Sequence, residues 1–75
     1  MTKDTLKDDL QLAGFLVSET PDGRMLIEGI SDNKVNYLIE EDFDTFWLYE
    51  YTGYEFHSVD AFGILDQALE AGKKL

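Results

Sequence analysis

The run His57-Ser58-Val59-Asp60 contains the three residue types of a hydrolytic triad. In such triads the nucleophile, base and acid come from distant positions in the chain and meet only in the folded protein. Here they are nearly consecutive, and a serine followed by an acidic residue is typical of a helix start, where both stabilise free backbone N–H groups. We therefore interpret the run as a helix start and expect no catalytic residue in it.

A second candidate is the acidic segment 40–44, which has four carboxylates in five residues. Calcium-binding loops alternate their oxygen ligands around a central glycine and end in a glutamate, a pattern that is absent here. Paired carboxylates also act as acid and base in glycosidases, but those enzymes need a cleft for which a 75-residue chain has little room. We expect no metal site, no cofactor and no enzymatic activity.

The composition is that of one folded, acidic domain over residues 1–75. The chain is 44% hydrophobic and has 16 acidic against six basic residues, a formal charge of −10. It has no cysteine, so packing alone must stabilise it. Nucleic acids and anionic membranes would repel such a chain, and we recognise neither a signal peptide nor a membrane span. These features predict a cytoplasmic protein that binds neither of them directly.

Hydrophobic spacing predicts an α+β fold. Leu6, Leu10 and Ala13 recur at helical intervals, and Gly14 follows where a helix end favours positive φ. After Gly14 the period changes to two, which is typical of strands separated by turns. The predicted elements are a helix over 2–13, strands over 15–19, 25–30, 34–40 and 45–51, a brief sheet extension over 55–57, and a helix from Ser58 to Gly72.

Short turns make consecutive strands antiparallel neighbours, so we predict a β-meander of three to four strands with both helices on one sheet face. This order of elements resembles that of double-stranded RNA-binding domains, which contact phosphate through lysines near the start of the last helix. Here Ser58, Val59 and Asp60 occupy that place. Because the charge is reversed, we expect no RNA binding.

Acidic residues are unevenly distributed along the chain. Between Val35 and Gly72 there are nine acidic residues and no lysine or arginine. Repulsion among like charges destabilises a small domain, so the charge serves either a partner or solubility alone. We favour a partner, because the aromatic residues concentrate in the same interval.

Eight of the ten aromatic residues lie between positions 37 and 56. Alternation in the fourth predicted strand places Phe46 and Leu48 on one face. Trp47, Tyr49 and Tyr51 lie on the other face, so neither side of that strand is polar. Because only one face can meet the helices, we expect the other to be exposed to solvent or covered by a partner.

We therefore predict a small non-enzymatic binding protein that docks onto a basic protein, such as a nuclease or another nucleic-acid-binding protein, and competes with its nucleic acid. In size, acidity and lack of motifs the chain resembles phage-encoded inhibitors of host defence nucleases, the anti-CRISPR and anti-restriction proteins, and other DNA mimics. The predicted partner-binding residues are Glu40, Glu41, Asp42, Asp44, Trp47, Tyr49, Glu50, Tyr51 and Glu55.

Three alternatives remain open. An immunity protein that neutralises a cationic toxin nuclease would need the same kind of surface. A structural or assembly subunit would instead use the aromatic stripe to form a homo-oligomer. Finally, a curled sheet whose helices and Phe43 bury every aromatic ring would leave the acidic residues to solubility alone.

Overall fold

The computed structural model describes residues 3–75, with side chains from residue 5 onwards. The elements are α1 (Lys3–Leu12), β1 (Leu16–Glu19), β2 (Met25–Ile30), β3 (Asn36–Asp42), β4 (Thr45–Tyr51), β5 (Phe56–Phe62) and α2 (Leu65–Lys73). The strands form one antiparallel sheet in the order β1-β2-β3-β4-β5. The predicted α+β class and the helix–meander–helix order are confirmed, with five strands instead of three to four.

The segment after β4 differs from our prediction. We expected a helix from Ser58, but 56–62 forms β5, and α2 begins only at Leu65. Ile64 occupies the N-cap position of α2 without a side-chain hydrogen bond, so Ser58 caps no helix. The free edge of β4 explains the difference, because hydrogen bonding along that edge outweighs the helical spacing of the local sequence.

The hydrophobic core lies between the sheet and the two helices. The buried strand residues are Met25, Ile27, Tyr37, Ile39 and Leu48. Helix α2 packs across β2 to β5 and buries Ala68 against them, while α1 contributes Leu10 to the same cluster. Both helices therefore cover one face of the sheet, as predicted.

Tyr37 is packed between two glycines. A Cβ atom on Gly29 of β2 would lie 2.6 Å from Cζ and Oη of Tyr37, and a Cβ atom on Gly72 of α2 would lie 2.7 Å from Cε1. We had expected Gly72 to end the second helix, but α2 continues to Lys73. The glycine is inside the helix because the tyrosine ring leaves no room for a larger side chain.

Candidate interaction surface

One face of the sheet carries no helix. Strand alternation places on it the residues that lie between the buried ones, and the strand register aligns them in rows. Leu38 is near the centre, with Glu28 of β2 and Tyr49 of β4 directly beside it. We call this surface the open face. Its larger apolar members on β2 to β5 are Leu26, Ile30, Leu38, Trp47, Tyr49, Tyr51 and Phe56.

Strand β4 has two unlike faces, as alternation predicted. Leu48 is fully buried beneath the helices, whereas Trp47 lies on the open face and is 37% exposed. Tyr51, also on the open face, packs its ring against Phe56 of β5 with the ring centroids 4.8 Å apart. Phe43 is 81% exposed and covers nothing. The alternative in which the helices and Phe43 enclose every ring is therefore wrong.

Arg24 places one positive charge among the acidic residues of the open face. Its Nη1 lies 3.3 Å from Oε2 of Glu40 and 4.0 Å from Oδ1 of Asp42. Its Nε lies 3.0 Å from Oδ2 of Asp22. Although the chain has no lysine or arginine between Val35 and Gly72, the pairing of β2 with β3 brings Arg24 beside Glu40 and Asp42. Lys74 likewise lies 3.5 Å from Glu70.

The nine predicted partner-binding residues do not form one surface. Those on the open face are Glu40, Asp42, Trp47, Tyr49 and Tyr51. Glu41 and Glu50 lie on the helix-covered side by alternation, and the Glu41 carboxylate accepts the backbone N–H of Met25 at 3.0 Å. Asp44 and Glu55 lie in the turns at opposite ends of β4. The structure therefore divides the nine residues between both faces of the sheet and two turns.

No binding role was predicted for Phe43, which lies at the tip of the β3–β4 hairpin. With Asp44 it forms a two-residue loop between the paired residues Asp42 and Thr45. Its φ is +56°, a conformation that bulky residues rarely adopt. A two-residue loop between strands normally contains glycine or asparagine. The presence of phenylalanine in their place was the signal in the sequence that pointed to this position.

Two tyrosines, the buried Tyr37 and the half-buried Tyr49, have a raised pKa. Partial burial raises the pKa of Tyr49, and its hydroxyl also donates a hydrogen bond to Oε1 of Glu40 at 3.0 Å, which raises that pKa further. Burial also raises the pKa of Tyr37, with the negative charge of Asp32 as the second cause. Both phenols are therefore more strongly protonated in the folded chain than in the unfolded chain.

Alkaline pH should consequently destabilise the fold. Below about pH 10 the phenols are protonated in both states, and their contribution to stability is fully present. As the pH rises further, unfolding releases protons and the free energy of unfolding falls. Tyr49→Phe should flatten this fall in urea denaturation between about pH 9 and 11.5, whereas Leu12→Ala, at a side chain that is 87% exposed and does not titrate, should leave it unchanged. Equal slopes in the two variants would contradict the assignment.

An open groove of about 1060 Å³ lies at the end of the sheet where β2 ends and β3 begins. We had expected a chain of this length to have too little room for a cleft, and the volume of this groove shows that this expectation is wrong. The charged residues along the groove are Glu28, Asp66, Glu70 and Lys73, all of them solvent-exposed. Among the groove's lining residues there is no histidine, serine or cysteine to form a nucleophile–base pair.

Fold and surface together define a class of small α+β proteins, in which one layer of helices covers an antiparallel meander and the other sheet face is free. The chain belongs to a family of unknown function (DUF5495), which matches residues 2–75. No curated protein and no solved structure matches it. Over residues 3–75, neither helix is long and apolar enough to cross a membrane, and no cluster of acidic and histidine residues could hold a metal ion.

Proposed function

We propose that this chain is a non-enzymatic binding protein that docks its open face onto a basic surface of another protein. The position of Trp47 is the main support for this proposal. Its ring is 37% exposed on the helix-free face and lies directly opposite Glu40 in the β3–β4 pair. Tryptophan and tyrosine are the residues that most often dominate binding energy at protein interfaces.

The apolar content of the open face supports an interface rather than a plain solvated surface. Leu38 lies beside Tyr49, and Leu26 lies in the row that contains Trp47. Monomeric proteins seldom expose large contiguous apolar patches, since removing such a patch from water is favourable. A partner that covers this face would bury the rings and leucines together.

The charge of the open face favours a cationic partner. Asp22, Glu40 and Asp42 surround the single guanidinium of Arg24, so the local balance stays negative despite the ion pairs. The whole chain carries a formal charge of −10. A field of this sign accelerates encounter with a basic surface and opposes encounter with an acidic one.

More specifically, we propose a cytoplasmic inhibitor that competes with nucleic acid for the basic site of a nuclease or similar protein. The net charge supports this form. Of the predicted acidic residues, Glu40, Asp42 and Asp44 lie on the open face or at its hairpin end, so the mimicry would use these three together with Glu28 of β2. An immunity protein against a cationic toxin nuclease would use the same contacts, and a neighbouring toxin gene would distinguish it.

The test is capture of a partner by the immobilised full chain, followed by affinity measurements with the purified partner. We expect a basic partner whose affinity falls as salt rises, and a loss of about tenfold or more in Trp47→Ala. Leu12→Ala removes a side chain that is 87% exposed on α1, away from the open face, and should bind like the wild type. Equal losses in the two variants, or affinity that is independent of salt, would contradict the proposal.

Self-association through the open face is the second candidate, and the uncovered rings favour it. Repulsion between two copies, each with a formal charge of −10, opposes it. Sedimentation at several concentrations separates the candidates: a dimer that Trp47→Ala dissociates would support self-association, and a monomer throughout would exclude it.

A further inference from the structure

The β3–β4 hairpin ends in a loop whose first residue is Phe43. Both common two-residue hairpin turns need positive φ at this position, and glycine, asparagine or aspartate normally supplies it. Phe43 has φ +56° and a side chain that is 81% exposed. The position therefore combines an unfavourable backbone conformation with an aromatic ring that packs on nothing in the core.

The backbone conformation destabilises the free protein, and glycine would relieve it. The exposed ring contributes nothing to stability, because it meets water in the folded and in the unfolded chain alike. Backbone strain of this kind concentrates at functional sites, where the surrounding structure holds the strained residue in place. Here the register of β3 with β4 continues from Tyr37–Glu50 to Asp42–Thr45, immediately before the loop, and this ladder fixes the turn. The hairpin thus presents the ring of Phe43 at its tip, directly beyond the last paired residues of the ladder.

We propose that Phe43 is an anchor that enters an apolar pocket on the partner protein, with lysine or arginine residues at the rim of that pocket. Charge complementarity identifies this occupant, because Asp42 and Asp44 flank the ring in sequence. Arg24 compensates only the first of them, at 4.0 Å, and Asp44 forms no ion pair within residues 5–75. Cations beside the pocket would complement both carboxylates when the partner removes them from water.

The tip is continuous with the open face, so this inference rests on the proposed function. Along β3, Glu40 and Asp42 are successive residues on the open face, and Trp47 lies directly opposite Glu40. Phe43 follows Asp42 at once. A partner seated over Trp47 would consequently reach the hairpin tip without any movement of the sheet.

The experiment compares Phe43→Gly with Tyr54→Gly in the full chain. Tyr54 is the matched control, since it is an 85% exposed ring in the β4–β5 turn, at the opposite end of β4. The first measurement is urea denaturation. Phe43→Gly should lower the equilibrium constant for unfolding about fivefold, because the strain disappears, whereas Tyr54→Gly should give no stabilisation. A destabilised Phe43→Gly variant would overturn the strain argument on which the anchor depends.

The second measurement is binding to a defined probe, an amphipathic peptide composed of lysine and leucine, with a glutamate–leucine peptide as its charge-reversed control. The wild type should bind only the cationic peptide, and Phe43→Gly should weaken that binding about fivefold or more while Tyr54→Gly leaves it unchanged. Weakening in Trp47→Ala without weakening in Phe43→Gly would overturn the anchor but leave the proposed function standing. No binding of the wild type to the cationic peptide would overturn both.

Discussion

Leu48→Ala should lower the free energy of unfolding by about 2–5 kcal/mol, a large fraction of the stability of a small domain. Leu48 is fully buried and lies directly opposite Ile39 in the β3–β4 pair, beneath the helices. The loss combines the transfer free energy of the removed methyl groups with the cavity that they leave. Urea denaturation followed by circular dichroism measures it.

Two further variants establish that burial causes this loss. Leu12→Ala removes the same atoms from a side chain that is 87% exposed on α1, and should change stability by no more than about 0.5 kcal/mol. Leu48→Met nearly conserves the volume and should cost less than about 1.5 kcal/mol. Similar losses at positions 12 and 48 would show that Leu48 does not face the core.

Gly29→Ala should destabilise the protein by about 1–3 kcal/mol. Replacing glycine by alanine at an unstrained position ordinarily has the opposite sign, since it restricts the unfolded chain. In β2, however, the new methyl group would lie 2.6 Å from Cζ and Oη of Tyr37 and 2.9 Å from Cε1 of Phe15. The ring of Tyr37 has little freedom to move because Gly72 of α2 lies close to it as well.

The matched control is Gly63→Ala, where a methyl group would meet nothing within 4 Å. Its free energy of unfolding should stay the same or rise slightly. In the double variant Gly29→Ala/Tyr37→Leu the total loss should be smaller than the sum of the two single losses, because the ring that the methyl group meets is gone. Strict additivity would mean that the clash with Tyr37 is not the cause.

Strands were predictable where burial marks one face of them. The sequence-based boundaries of β2 and β4 coincide with the observed Met25–Ile30 and Thr45–Tyr51. In β2 the residues that face the helices are Met25, Ile27 and Gly29, and a shift by one residue would turn them towards solvent. In β4, Phe46 and Leu48 face the helices, although Glu50 lies on the same side. Local alternation therefore predicted both strands and the residues that share a face, but not which face of β4 the helices cover.

Strand β5 could not be predicted in this way. Five of its seven residues are exposed, so burial leaves no alternating pattern in the sequence. Its register with β4 shifts between Leu48 and Tyr49, which interrupts the period further. The apolar residues Val59, Phe62 and Leu65 are spaced as in a helix although they extend from β5 into α2.

The candidate surface was predictable only as far as it depends on single strands. Alternation correctly grouped Trp47, Tyr49 and Tyr51 on one face of β4, but which face the helices leave open became clear only from the structure. The compensation of Glu40 by Arg24 depends on the pairing of two strands, a contact across 16 residues that a count of charges along the chain conceals. The exposure of Phe43 depends likewise on the two-residue length of the β3–β4 loop, which follows from the pairing of Asp42 with Thr45.

The register shift between β4 and β5 also affects the margins of the sheet. A bulge increases the local twist of the strand that contains it. β5 is one edge strand of the sheet, and it also carries a charge at Asp60, which opposes pairing with another strand. The other margin, β1, is only four residues long. Neither β1 nor β5 is therefore a flat edge strand to which a second molecule could add a strand of its own. We expect the protein to resist fibril growth in concentrated solution, even though the open face is apolar.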